Sequence, residues 1–245
     1  LVSRHVLVYR RDWLVFMTGF LEPVLYLLSI GVGVGARVGS VSTGGRQVPY
    51  AVFVAPAMLA ASAMNGAILD STFNLFFRLK YAKLYDAVLA TPMGTRDVAA
   101  GETTWALLRG GLYSAVFLLV MWGMGLASSA LAVLALPATL LIGFAFAGVG
   151  MWLTTYMRSW QDFEFITLAL TPMMLFSGTF FPVETLGAAR WVVEVTPLYR
   201  GVVLCRELTT GVVTWAGAVS VGYLLALGAL GMLAADRRLG LLLRR

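Results

Sequence analysis

Apolar residues run in long unbroken stretches along this chain, separated by short polar and basic segments. Six stretches approach or exceed the roughly 20 residues that a helix needs to cross a bilayer core. They are 13–35, 49–70, 105–126, 131–154, 163–181 and 212–234. None alternates apolar and polar positions as a barrel strand would. The pattern therefore predicts an all-α membrane protein with six transmembrane helices in a single domain, 1–245. Residues 1–12 set Arg4, Arg10 and Arg11 among Val2, Val6, Leu7 and Tyr9, which suits an amphipathic helix lying in the membrane interface. Residues 182–211 are too polar to span, yet carry Leu186, Trp191, Val192 and Leu198, and Pro182 and Pro197 bracket their first half. They predict short re-entrant helices on the outer side, tolerated only against protein or a wet cavity.

Composition supports lipid as the solvent. The chain is 60% hydrophobic and 12% charged, about half the charged fraction of a soluble domain, with a mean hydropathy of +0.85. The net charge of +6 does not point to nucleic acid, because the basic residues sit between apolar runs, where they set topology and meet anionic lipid heads. With both termini cytoplasmic, the inner set is Arg4, Arg10, Arg11, Arg78, Lys80, Lys83, Arg96, Arg109, Arg158, Arg237, Arg238, Arg244 and Arg245. The outer set is Arg37, Arg46, Arg190, Arg200 and Arg206. The basic majority thus stays inside, as the positive-inside rule requires. This orientation puts Cys205, the lone cysteine, outside and excludes an intrachain disulfide. The sequence opens on Leu1 rather than Met, so a short native N-terminal piece is expected before it, and the first apolar run reads as a retained helix rather than a signal peptide. Heavy use of Ala, Gly, Val, Leu and Arg suggests a GC-rich bacterial genome and hence a plasma membrane.

Catalytic constellations are not visible. His5 is the sole histidine, without a His or Cys neighbour to complete a metal site or a nucleophilic triad. There is no H-E-x-x-H and no G-x-x-x-x-G-K-[ST], so neither a metal nor ATP is expected as a cofactor of this chain. Gly31, Gly33 and Gly35 follow an apolar run and read as close packing or a flexible helix end rather than a nucleotide loop; Gly143 with Ala147, and Gly150 with Thr154, read as packing faces. Glu22, followed by Pro23, lies inside the first span. It either lines a translocation path or subunit interface, or caps the backbone that Pro23 frees. Asp70, Asp162 and Glu164 fall near inner span ends and are expected to be solvated or paired with nearby cations.

The inner segment 71–104 is the most informative loop. Its first part is amphipathic, with Arg78, Lys80 and Lys83. A break at Thr91-Pro92-Met93-Gly94 follows, after which Thr95 is placed to cap a new helix holding Arg96, Asp97 and Glu102. Such a break is either a grip for a peripheral motor protein or an ordinary connection.

Three stretches resemble permeases of type-2 ABC exporters, in the branch that includes nodulation lipo-oligosaccharide and anthracycline-resistance exporters: Glu22 to Gly35, Lys80 to Glu102, and Phe176 to Leu208, with its F-F-P, Trp and T-P-L-Y elements in order. The resemblance implies a six-helix exporter domain. It implies that Tyr85, Asp86, Thr91, Pro92, Met93, Thr95, Arg96, Asp97 and Glu102 belong to a coupling segment docking on a separate ATPase subunit, present in two copies, which would carry ATP and Mg. It further implies an external gate containing Phe180, Phe181, Pro182, Trp191 and Pro197, pairing with a second permease copy or a paralogue, and export of an amphiphilic substrate such as a drug, lipid or glycolipid. Drug efflux and antibiotic resistance are among the expected roles. The main rival is a secondary transporter or channel that runs without ATP, whose mark is several ionisable groups near the midplane; Glu22 alone fits that well. A membrane-embedded enzyme would need a polar cluster at one face, and a non-transporting ABC subunit a large external domain.

Overall fold

The computed structural model describes residues 21, 24–43, 45–81, 88 and 92–243. The interface helix expected over 1–12, and residues 13–20, 22 and 23 of the first expected span, lie outside them.

The description opens with helix over 24–28, widens into a π-helical turn, Ser29–Val34, and continues as α1, Gly35–Val38. Space around Gly33 is open, so this glycine makes no tight contact, and the helix runs on past it to Val38. An antiparallel hairpin follows, β1 (Ser40–Thr43) against β2 (Arg46–Pro49), in register from Ser40 opposite Pro49 to Thr43 opposite Arg46. Gly45 turns it at φ 74°. The hairpin is an addition to the expected elements, although V-S-T-G-G-R-Q-V places two glycines between short runs, a recognised hairpin signal.

Next, α2 (Tyr50–Leu69), a π-helical turn (Asp70–Asn74) and α3 (Leu75–Lys80) join into one 31-residue rod. Ala, Leu and Met dominate α2, all strong helix formers, and its alanines let neighbouring backbones come close. It is the central element, with 72% of its most apolar window buried. α4 (Thr95–Gly123) and α5 (Ala135–Thr154) pack against it, and α9 (Trp215–Leu243) packs mainly on α5. These three are less enclosed, down to 28% of the window for α9, which leaves apolar faces for lipid. Between α5 and α9 come α6 (Phe163–Phe176), a 3₁₀ segment (Val183–Ala189), α7 (Arg190–Val195) and α8 (Pro197–Thr210).

Among the described residues, four helices are long and apolar enough to cross a membrane, where six were expected over the whole chain. The expected fifth span, 163–181, forms only the 14-residue α6, about 21 Å at 1.5 Å per residue against a core of roughly 30 Å. The chain leaves helical geometry at Ser177, and Gly178 takes φ 71°, which glycine alone adopts cheaply. The rod through α2 instead runs past its expected end at residue 70 as far as Lys80, because the π turn lets the helix continue. The segment expected to be re-entrant does form short helices, of which α8 is enclosed by protein. Pro197 opens it at the first helical position, the Thr196 hydroxyl accepts from the Tyr199 N–H at 3.4 Å, and Gly211 closes it in the left-handed conformation. Leu198, Val202 and Cys205 are fully enclosed, so Cys205, expected on the outer side, is shielded by protein.

The α5–α9 contact depends on missing side chains. A Cβ on Gly231 would stand 2.6 Å from the Gly148 carbonyl carbon, and one on Gly148 would stand 2.7 Å from the Gly228 carbonyl oxygen. The two backbones touch there, as small residues permit in membrane helices. Gly150 likewise seats the π turn, where an added Cβ would collide with the Ser71 hydroxyl. Gly231→Leu is expected to lower unfolding stability of the detergent-purified chain by about 1–3 kcal/mol, whereas Gly222→Leu, at a position with open space, leaves it unchanged; thermal unfolding of both variants is the check.

A candidate coupling and translocation site

At one end of the bundle α2, α5 and α9 finish and α4 begins, and Arg78, Arg96, Arg158, Arg237 and Arg238 gather there; this is the basic end. Among the described residues its interior holds two ion pairs. Arg109 Nη1 of α4 lies 3.1 Å from Asp70 Oδ1, with side chains only 9% and 5% exposed. About two helical turns further out, Arg78 of α3 pairs with Glu102 of α4, again with little exposure. Asn74 donates to Asp70 at 2.6 Å, and the Arg109 guanidinium sits 5.6 Å from the centre of the Tyr113 ring.

The Asp70 pair sits where α2 widens into the π turn. Asp70 begins the turn on the buried face of α2, in line with Ala63 and Ala67, and the wider turn that follows displaces backbone hydrogen bonds. Hydroxyls absorb the displacement. Ser71 donates to the Ala67 carbonyl at 2.7 Å, and Thr72 bonds to the Ile68 carbonyl. From α5, Thr154 Oγ1 stands 3.0 Å from the Ser71 carbonyl. Asp70 was expected to be solvated or paired with a cation; it is paired, and buried as well. Asp162 was expected likewise, and is satisfied mainly by backbone: its carboxylate accepts from the N–H groups of Arg158 (2.6 Å) and Ser159 (3.1 Å), which hold its pKa below the ordinary carboxylate range.

The start of α4 carries the residues expected to couple. Gly94, not Thr95, is the N-cap, in extended conformation, and Asp97 reaches back to accept its N–H at 2.8 Å. Glycine is accepted at an N-cap, and a carboxylate in the first turn also faces the positive end of the helix dipole. Pro92, Gly94, Arg96 and Asp97 are exposed and Met93 is half-buried. Arg96 bonds Asp236 of α9 at 3.0 Å. Behind this surface, Val98 and Ala99 pack with Leu75, Met151, Ala235 and Leu239 in a small core of their own. Glu102 does not join the exposed set, because it faces inward to Arg78. Tyr85, Asp86 and Thr91 lie outside the described residues, as do Glu22 and Pro23.

The same network borders a cavity of about 400 Å³. Tyr26, Ser62, Asn65, Arg109, Tyr113 and Thr171 contribute its polar groups. Ser62, Asn65, Gly66 and Leu69 lie at i, i+3, i+4 and i+7, hence on one face of α2, and Asn65 is exposed although it sits within an apolar span. An amide at that depth faces lipid only at a cost, so this face calls for water, ligand or a protein partner. Guanidinium, amide and hydroxyls on an apolar wall can hydrogen-bond a polar group while accommodating a hydrocarbon one.

At the opposite end, the loop after α6 is stapled to α2 and α8. Tyr50 donates to the Phe180 carbonyl at 3.1 Å. Arg206 donates to the carbonyls of Gly178 (2.9 Å) and Phe53 (3.2 Å), with its guanidinium 4.1 Å from the centre of the Phe53 ring. Phe181 meets Phe176 edge-on, and Phe180 borders the cavity. Phe180, Phe181 and Pro182 are thus consecutive and half-buried beside the bundle, whereas Trp191 is 70% exposed and Pro197 serves as a helix start. The five expected gate residues do not converge on one point. Sequence reasoning counts Arg206 only as an outer charge; its value as a staple emerges from the tertiary structure.

A bundle of long apolar helices with an interior charge network, a bordering cavity and an exposed helix start defines a multi-pass membrane protein. The ABC-2 type transporter profile matches residues 1–209, and the chain belongs to that family, one of transporter permeases rather than enzymes. It is 34% identical to nodulation protein J of Rhizobium leguminosarum bv. trifolii, over 85% of this chain and 79% of that protein. It is 32% identical to nodulation protein J of R. leguminosarum bv. viciae (85% and 80%) and of Rhizobium meliloti (85% and 79%). No solved structure matches. These names lend no support to the expected drug efflux and antibiotic resistance.

Removing one member of a buried ion pair strands the other, at a cost of about 3–5 kcal/mol. Asp70→Ala is expected to lose about that much unfolding stability, and the double variant Asp70→Leu/Arg109→Met to recover most of it, as read by chemical unfolding in detergent.

Proposed function

We propose that this chain is the permease subunit of an ABC exporter, driven by a separate ATPase, and that it moves an amphiphile with a substantial polar part out of the cell. The observation that carries the reading is the continuity between the exposed start of α4 and the cavity. Arg96, Val98 and Ala99 lock that start to α9 and α3. Arg96, Glu102 and Arg109 then follow one another along the same helix, each about two turns beyond the last. Glu102 and Arg109 grip the central rod in turn, and Arg109 also borders the cavity.

In this mechanism two ATPase copies bind ATP and Mg and close. They push on Pro92, Met93, Gly94, Arg96 and Asp97, together with the neighbouring coupling residues Tyr85, Asp86, Thr91 and Thr95. Because α4 is held to α3 and to Asp70 by ion pairs, the push moves the helices as a unit rather than fraying one end. The walls of the cavity then shift against a second permease copy or paralogue seated on the α2–α6 face, and a path opens past Phe180, Phe181 and Pro182. Both termini lie in the cytoplasm, so the basic end faces the ATPase. Similarity to nodulation proteins favours a glycolipid of the lipo-oligosaccharide type over a purely apolar drug.

Among the described residues, the intramembrane charges do not favour the ATP-independent rival. Asp70 follows Tyr50 by twenty residues, about 30 Å along the helix, so it stands at the edge of the core rather than its midplane, and its charge is balanced by Arg109.

The test is purification of the full chain from its native membrane with whatever ATPase accompanies it. A P-loop ATPase is expected to co-purify. Arg96→Glu and Asp97→Lys are each expected to reduce its retention or its transport coupling about tenfold, equivalent to about 1.4 kcal/mol, while Asp97→Asn, which keeps a cap acceptor, has a smaller effect. Unchanged retention and coupling in both charge reversals would rule out the docking assignment.

A further inference from the structure

The basic end carries a second feature, on the lipid-facing side of α5 and separate from the coupling surface. Two apolar grooves flank this helix. One, of about 660 Å³, runs between α5 and α6 along Phe146, Val149, Leu153 and Phe165 and reaches Tyr156 and Arg158. The other, of about 440 Å³, runs between α5 and α9 along Val149, Trp152, Leu227 and Leu230 and reaches Arg237. Both have an arginine in the wall, and both arginines are exposed.

A third arginine bridges them. The Arg238 guanidinium stacks 4.4 Å from the centre of the Tyr156 ring, and Tyr156 in turn meets Trp152 edge-on at 5.8 Å. Arg238 Nε is buried and has no hydrogen-bond partner among the described residues. A buried guanidinium nitrogen without an acceptor is costly, and an anionic oxygen would satisfy it.

The local carboxylates do not supply that oxygen. Asp162 is engaged by the Arg158 and Ser159 N–H groups and lies 3.3 Å from the Ser159 hydroxyl. Asp236 is engaged by Arg96. Three arginines against Asp162 leave net positive charge where apolar grooves meet the polar surface. A second copy of this chain seated symmetrically here would bring the same arginines against these and be repelled. An acyl chain fits the grooves, and basic pockets between membrane helices recognise anionic lipid heads.

We propose that this end of α5 is a binding site for an anionic phospholipid, with acyl chain in the flanking grooves and phosphate held by Arg158, Arg237 and Arg238. Tyr156 and Trp152 set its depth, as interfacial aromatics do. The site depends on the chain lying in a bilayer and not on the exporter reading, so either can fail without the other.

The test is native mass spectrometry of the full chain released from mixed micelles containing phosphatidylglycerol or phosphatidylcholine with identical acyl chains. Wild type is expected to retain phosphatidylglycerol preferentially. Arg158→Gln/Arg237→Gln is expected to reduce that preference about fivefold for each arginine removed, since each basic residue near the surface contributes about that factor. Arg37→Gln, in α1 beside the hairpin, leaves the preference intact. Both arginines of the double variant are exposed, so folding is preserved, and Asp162 still receives the Arg158 backbone N–H. Arg238→Gln is read separately, with thermal unfolding, because it also removes the stack on Tyr156. Equal retention of the two lipids by wild type, an undiminished preference in the double variant, or a second copy of the chain in place of lipid at this face would each overturn the proposal.

Discussion

The ion pair between Asp70 and Arg109 fixes how the bundle is put together at its basic end. Neither charge can remain in an apolar interior alone, so each element that carries one is held in register with the other. Asp70 opens a π turn on the buried face of α2, in line with Ala63 and Ala67. That turn persists because Ser71 and Thr72 bond to preceding carbonyls and Thr154 of α5 lies against the Ser71 carbonyl. Thr154 reaches it because Gly150, one turn earlier, lets α5 approach closely. A glycine, a threonine, a widened turn and an ion pair thus depend on one another, and the Arg78–Glu102 pair extends the grip further along both helices.

This arrangement gives the bundle two mechanical characters. Near the basic end, charge pairs and the small core around Val98 and Leu239 tie α3, α4, α5 and α9 together. On the α2–α6 face, Ser62, Asn65 and Thr171 border open space. A force applied at Arg96 and Asp97 would therefore enter a tied part of the protein and be delivered beside this cavity. At the far end, the Tyr50 and Arg206 hydrogen bonds hold the loop containing Phe180 and Phe181 against the same central rod.

Much of the membrane architecture is written in the apolar runs. Those over 49–70, 105–126, 131–154 and 212–234 each fall on a long helix, because length and hydropathy alone decide that a segment belongs in lipid. Details that depend on contact are less legible. Nothing local marks a π turn at Asp70; it rests on Thr154, 84 positions later in the chain. Pairing of Asp70 with Arg109 is also a tertiary fact, as is the inward turn of Glu102, whose neighbours in sequence suggest an exposed helix start. Thr95 is a reasonable cap by composition, but Asp97 already serves the Gly94 N–H, so the helix boundary moves by one residue. The hairpin at Gly45 is readable from its paired glycines, a short signal outweighed by the longer apolar runs on either side.

The proposed function requires that this permease move its cargo with energy supplied by a partner ATPase. Proteoliposomes containing the chain and its co-purified ATPase, loaded with a fluorescent lipo-oligosaccharide, test it most directly. Movement is expected to require ATP and Mg and to stop when the ATPase is omitted, whatever ion gradient is imposed. Movement by the chain alone, driven by a proton or sodium gradient, would contradict it.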